Sequence, residues 1–232
     1  MKKNELTTVL KSFPELQIFE ASKLYNQQFN HEISEAAYYK ALERLTKEGR
    51  LVKISRGLYC RPKKTKYGIV LPSEKSIVDE YIKESSGVVV GYSLYNTLDL
   101  STQIAKNINI YSNAINQRTK TVGNIHIKRI YLEFNKEISR AVEFLEVLSN
   151  FYAIQDLNYN SFIRYCSRYV ETYNERVIEN ILKNMNYSKS TIAFLRNILS
   201  YYEISNSLSK YLSAFSTYKY PEMEKIYELA RV

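Results

Sequence analysis

The sequence is poor in the residues from which extracellular, fibrous and most catalytic folds are built. Its two cysteines, Cys60 and Cys166, lie far apart and outside any paired spacing. That excludes a disulfide framework and a zinc ribbon and fits a reducing compartment. The two histidines, His31 and His126, have no partner at metal-ligand spacing. Six glycines and four prolines in 232 residues are too few for a collagen-like, linker-like or proline-rich disordered chain. The longest apolar run is a few residues around Val88, too short to span a membrane. The basic start MKKNELTTVLKSF is not followed by the apolar stretch of a secretion signal, and a cytoplasmic protein is expected. Nucleophile elbows, phosphate-binding loops and dinucleotide fingerprints are absent, and no Ser-His-Asp set can be assembled. Glu143 and Glu146, three apart, read as the solvated side of a helix. No catalytic residue, metal or cofactor is expected, and the chain is read as a non-enzyme.

What is there is charge with a position. Hydrophobic residues at 45% and charged residues at 25% are ordinary for a globular chain, but the net charge of +9 is unevenly spread. Residues 1–66 carry 14 Lys and Arg against 7 Asp and Glu, whereas the remainder carries 19 against 17. Within 47–66, eight basic side chains face one acid, Glu48. A localised positive surface attracts polyanions by releasing their counterions. A solvated lysine face in a basic proteome would give the same count.

Hydrophobic periodicity gives three segments: 1–66, 67–136 and 137–232. In the first, Leu6, Val9 and Leu10 sit at helical spacing ahead of Pro14, and Phe19–Tyr25 reads as a second short helix. Ser34 is a good N-cap for SEAAYYKALERLTKEG, where Tyr38, Ala41, Leu42 and Leu45 form one stripe and Gly49 stands past the end. Leu51–Ile54 and Leu58–Arg61 form a hairpin across Ser55-Arg56-Gly57. Three helices and a basic hairpin have the order of a winged helix-turn-helix. The basic stretch Lys63–Gly68 then reads as a connector. In the middle segment Ser73 caps a helix to about Glu84, and Gly87–Val90, Asn107–Tyr111 and Asn124–Leu132 read as strands. A short helix covers Ser93–Leu98, and a polar stretch over Asn113–Gly123 joins the last two strands. From Glu137 the pattern is helical: Ile138–Phe151, Ser161–Val170, Glu175–Asn184, Ser190–Tyr202, Ser207–Phe215 and Pro221–Ala230. The fold class is therefore α+β and helix-rich. It comprises an N-terminal winged helix-turn-helix, a small mixed α/β middle domain and a C-terminal helical bundle.

The Ser34–Glu48 helix buries its stripe and offers its other side to a DNA major groove. Its N-terminal part lies nearest base edges, which makes Glu35, Ala36, Tyr39 and Lys40 the candidates for base reading. Ser34, Arg44, Lys47, Lys53, Arg56, Arg61, Lys63 and Lys64 are the candidates for phosphate contacts, which position without reading sequence. A winged-helix module used for protein contacts is the competing reading.

The run ALERLTKEGRLVKISRGLYCRPK resembles the N-terminal winged helix of the AbiEi-like antitoxins of bacterial type IV toxin–antitoxin systems. Ala41, Leu42, Arg44, Leu45, Gly49, Leu51, Arg56, Gly57 and Tyr59 stand at the matching places. GVVVGYSLYNTLDLSTQIAKNINIYSN is similar to the middle domain of the DUF6088 branch, where Asn96, Leu98, Leu100, Ser101, Thr102 and Gln103 match its motif. Asp99 replaces the usual glycine, and Ala105 or Lys106 stands where proline is common. The resemblance implies a DNA-binding antitoxin, part of a phage-defence system, whose N-terminal domain represses its own operon at inverted repeats. The C-terminal part would counteract a cognate nucleotidyltransferase-like toxin. Asn96, Ser101, Thr102 and Gln103 are read either as functional groups or as a helix cap and turn that satisfy buried backbone. A winged-helix adaptor for proteins, or a general transcriptional regulator with no toxin partner, is the alternative.

Overall fold

The computed structural model describes residues 2–231. Its contacts group the chain into two compact units, Met1–Glu80 and Tyr81–Val232, each with its own apolar core. The chain is α+β, with ten α-helices and nine short strands among the described residues. None of these helices is long and apolar enough to cross a membrane.

In the first unit, α1 (Lys2–Ser12) is followed by β1 (Ile18–Glu20) and α2 (Ala21–Leu24). The chain then passes through a π-helical turn over Tyr25–Phe29 into α3 (Glu35–Lys47). Helix α3 starts where Ser34 accepts a hydrogen bond from the Ala37 N–H at 3.3 Å, satisfying one of the donors that a helix start leaves open. It stops at Gly49, whose φ of +63° lets the Gly49 and Arg50 N–H groups turn back to the Thr46 and Leu45 carbonyls at 3.0 and 2.9 Å. Tyr38, Leu42 and Leu45 are its buried stripe. They pack with Leu6, Leu10, Phe19, Leu24, Phe29 and Leu51.

The helix expected over Phe19–Tyr25 forms from Ala21, but its first two residues, Phe19 and Glu20, are strand. Ile18 and Phe19 extend and pair with Cys60 and Tyr59, burying both apolar side chains, and the Phe19 ring stacks on Tyr59 at 5.9 Å. Long-range pairing outweighs a local helical spacing only about two turns long. With β2 (Val52–Ser55) and β3 (Leu58–Cys60), β1 forms an antiparallel sheet of order β1-β3-β2. The expected connector Lys63–Gly68 is also structured. Strands β4 (Lys63–Thr65) and β5 (Gly68–Val70) form a two-stranded ribbon, Lys64 opposite Ile69. The Thr65 hydroxyl donates to the Gly68 carbonyl at 3.0 Å and accepts from the Tyr67 N–H at 3.2 Å. Helix α4 (Glu74–Ile82) follows, with the Ser73 hydroxyl accepting from the Ser76 N–H at 3.1 Å.

The second unit opens with β6 (Gly87–Val90), α5 (Tyr92–Thr97), β7 (Ile108–Ser112), β8 (Thr119–Val122) and β9 (Ile125–Arg129). The sheet order is β6-β7-β9-β8, with β7 and β9 parallel and the other pairs antiparallel. Position 87 must be glycine, because a Cβ there would lie 2.5 Å from the Tyr111 carbonyl oxygen and 2.6 Å from that of Tyr81. Strand β8 lies in the stretch expected to be a polar link. Its Thr119, Lys120 and Thr121 carry little apolar signal, and it forms by pairing along β9.

Helices α6 (Lys136–Ser149), α7 (Tyr159–Val170), α8 (Glu175–Asn184), α9 (Lys189–Tyr201) and α10 (Met223–Leu229) complete the unit. Asn135, Asn158, Asn174 and Ser188 cap α6 to α9. The expected helix Ser207–Phe215 shrinks to a 3₁₀ turn at Leu208–Tyr211, where Leu208 is fully buried in the core and Tyr211 packs against it partly buried. Sheet and helices share that core: Val88 and Val90 pack in one cluster with Val142, Leu145, Phe162 and Ile198.

Helix α6 runs through the middle of this core, and eight of its side chains are buried. Glu146 is one of them, only 9% exposed. The solvated-face reading of Glu143 and Glu146 is thus corrected: the helix has no water-facing side there wide enough for both acids. Burial raises the Glu143 carboxyl to about 7, against a partial downward pull from Arg140. A carboxyl whose pKa is higher folded than unfolded makes the native state bind the extra proton. Its unfavourable contribution is therefore absent near pH 4 and complete above pH 7. Glu143→Gln should be as stable as the parent near pH 4 and more stable at pH 8, by about 1–3 kcal/mol. Thermal or urea unfolding of both proteins at the two pH values checks this, and an equal offset at both would contradict it.

Candidate nucleic-acid interface

The buried stripe of α3 decides what the helix shows to solvent. Glu35, Ala36, Lys40, Glu43, Arg44 and Lys47 are exposed. Tyr39 is partly buried, set edge-on to Tyr38 at 5.4 Å. Burial raises its pKa, with Glu35 and Tyr59 adding to the effect. Of the four candidate base readers, three are therefore open and Tyr39 offers only part of its ring. Along the same helix Leu6, Ile33, Ala37 and Ala41 floor a groove of about 680 Å³ rimmed by Lys40, Arg44 and Lys47.

The candidate phosphate ligands fall into three groups. Ser34 spends its oxygen on the cap. Arg44 and Lys47 are exposed but paired, Arg44 Nε with Glu48 at 3.7 Å and Lys47 Nζ with Glu43 at 2.8 Å. Lys47 lowers the Glu43 carboxyl and is itself raised by it. Exposed pairs of this kind contribute little, so a phosphate can displace them. Lys53, Arg56, Lys63 and Lys64 are exposed on the β2–β3 hairpin and the ribbon. Arg61 differs: it is half-buried and its guanidinium donates to the Phe13 carbonyl, so its charge serves the fold. The exposed face of α3 is nearly balanced, its lysines and arginines countered by Glu35, Glu43 and Glu48. The excess of positive charge lies on the hairpin and the ribbon.

The ribbon was missed by periodicity. Lys66 and Tyr67 sit at its tip, the lysine ammonium 4.9 Å from the tyrosine ring centre. Tyr67 is 88% exposed and Ile69 55%. The only signal for it in the sequence was the alternation of basic and β-prone residues around Gly68.

Asn96, Ser101 and Gln103 come together in the second unit. The Asn96 amide donates to the Ser101 and Gln103 carbonyls at 2.7 and 2.9 Å. The Ser101 hydroxyl donates to the Gln155 carbonyl at 2.7 Å and accepts from the Gln103 N–H at 3.2 Å. Gln103 also reaches the Asp156 carboxylate. Thr102 is exposed and stands apart. Asp99 has φ +56°, a left-handed turn in which glycine is easiest and Asp is tolerated. These contacts tie the loop after α5 to the segment before α7. Both cysteines are buried, and burial raises both thiols. Among the described residues no group of three or more His, Cys, Asp or Glu side chains is placed to hold a metal ion.

Removing the Asn96 amide leaves two carbonyls without their donor, which should cost about 1–3 kcal/mol. Asn96→Ala should lower the unfolding midpoint accordingly, whereas Thr102→Ala should leave it unchanged. Urea titrations of the two variants test the difference, and equal effects would contradict the geometry.

No curated protein matches the chain at a significant level. A family model does match, over residues 10–189, a span that takes in α3, the hairpin, the ribbon and the Asn96–Gln103 loop. The chain belongs to the DUF6088 family, a family of unknown function.

Proposed function

We propose that this chain is a DNA-binding antitoxin that represses its own operon. In this reading the first unit holds DNA as a winged helix-turn-helix, and the chain counteracts a nucleotidyltransferase-like toxin of a type IV system without catalysis or cofactor. The observation that carries the DNA half is the exposed, positively charged hairpin and ribbon that follow the capped, amphipathic α3 in one compact unit. The element order helix, strand, helix, helix, strand, strand, with β1 beside β3, supports the winged-helix reading. The resemblance of residues 41–59 to AbiEi-like antitoxins supports the toxin half.

The physical division of labour follows from exposure. Glu35, Ala36 and Lys40 at the start of α3 would read base edges, with Tyr39 presenting the free part of its ring. Lys53, Arg56, Lys63 and Lys64 would hold phosphates and supply most of the affinity. Two protomers on an inverted repeat would place two such helices one turn of DNA apart. A second reading draws on the α3 groove, whose apolar floor suits a protein segment. It makes the unit an adaptor, with or without a role in transcription.

Binding of the full chain to the DNA upstream of its own gene, against scrambled DNA at two salt concentrations, tests the proposal. A clear preference for the upstream fragment with affinity falling steeply as salt rises is expected, and equal or absent binding would favour the adaptor. Lys53→Ala with Arg56→Ala should weaken binding to every sequence and lower the salt slope by about one per lost contact. Lys40→Ala should instead alter preference between sites, by about 1–3 kcal/mol. An unchanged slope in the first variant, or unchanged preference in the second, removes that residue's assignment.

A further inference from the structure

One face of the second unit's sheet is only half covered. Pairing aligns two cross-strand rows on it, Val90, Asn109, His126 and Thr121, then Val88, Tyr111, Lys128 and Thr119. Side chains in such rows point to the same side of the sheet. The valines of β6 are buried in the shared core. Beyond them the face turns polar and cationic, with Asn109, His126, Lys128, Thr119 and Thr121 all exposed. This half of the sheet borders an open cavity of about 510 Å³, closed on its inner side by Glu146 and Asn150. The volume is that of a small-molecule site.

The inner and outer walls differ in chemistry. On the inner wall Glu146 is 9% exposed. Burial raises its carboxyl, opposed by the Tyr187 and Tyr111 hydroxyls and by Lys128. The Tyr187 hydroxyl, itself buried, faces this carboxyl from behind the cavity wall. On the outer wall the Lys128 ammonium lies 5.3 Å from the Tyr111 ring centre. The His126 Nδ1 is 3.3 Å from the Thr121 hydroxyl, which fixes the ring in a row of threonine hydroxyls. A cationic, hydroxyl-rich outer wall suits an anion, and a buried carboxylate behind it suits a hydrogen-bond donor on the same molecule.

We propose that this cavity binds a small phosphate ester that carries hydroxyl groups. Its phosphate lies on Lys128 and His126 beside Thr119 and Thr121, and a ligand hydroxyl donates to Glu146. A free nucleotide and a sugar phosphate both have this chemistry. The site belongs to the second unit and does not depend on DNA binding by the first.

Calorimetric and thermal-shift titration of the full chain with AMP, ribose 5-phosphate and inorganic phosphate tests it. Saturable binding of at least one ester, tighter than inorganic phosphate and with a raised unfolding midpoint, is expected. Tighter binding of AMP than of ribose 5-phosphate assigns a nucleotide, and the reverse a sugar phosphate. Lys128→Ala should weaken every ligand about tenfold. Glu146→Gln should weaken the esters by a similar factor and leave inorganic phosphate unchanged. Should the buried Glu146→Gln fail to fold, Lys128→Ala and His126→Ala, both at exposed positions, carry the test. No saturable binding at millimolar ligand, or wild-type affinity in Lys128→Ala, overturns the proposal.

Discussion

Burying one stripe of α3 constrains everything the first unit presents. With Tyr38, Leu42 and Leu45 against Leu6, Leu10 and Phe29, the rotation of the helix is fixed. Glu35, Ala36 and Lys40 then have no option but solvent. Ser34 and Gly49 set where the helix begins and ends, so the chain enters β2 directly and the hairpin projects Lys53 and Arg56. A polar residue at Leu42 would remove the anchor and with it the common frame of helix and hairpin. The candidate interface is thus a consequence of core packing and needs no separate device to hold it.

The second unit is organised by a different element. Helix α6 is buried along most of its length, and its neighbours are the sheet on one side and α8 and α9 on the others. That position explains both of its acids. Neither Glu143 nor Glu146 contributes to packing as an apolar residue would, and each keeps its proton more readily for being there. A chain that places two carboxyls in a core retains a cost that a leucine would avoid. In Glu146 the cost coincides with a cavity on the polar half of the sheet. The Asn96–Gln103 loop, by contrast, spends its polar groups on backbone carbonyls and on Asp156.

How much of this was legible in the sequence depended on how local the determining physics was. Helix α3, its cap at Ser34 and its stop at Gly49 follow from spacing and capping within sixteen residues, and the hairpin follows from Gly57. Helices α6 to α9 are equally visible, since each carries a long apolar stripe and a polar cap. Strand β1 was not visible because its three residues are extended only by pairing with β3, some forty positions away. Strands β4, β5 and β8 are too polar to show a period. The exposed members of the interface could be named from the outer side of α3, but the inward turn of Arg61 could not, because its acceptor is the backbone of Phe13. Glu146 departs from the pattern because i, i+3 acids usually mark a wet face, and only long-range packing against Tyr111 and Lys128 of the sheet and against Tyr187 makes this one dry.

In the proposed function the outer side of α3, the hairpin and the ribbon are where this protein would meet nucleic acid. Hydrogen–deuterium exchange of the full chain, with and without the DNA upstream of its gene, tests it most directly. The account predicts added protection in the peptides that cover residues 34–47, 52–60 and 63–70, with α6 to α9 unchanged. Protection confined to the second unit, or none in those three stretches while DNA is bound, would contradict it.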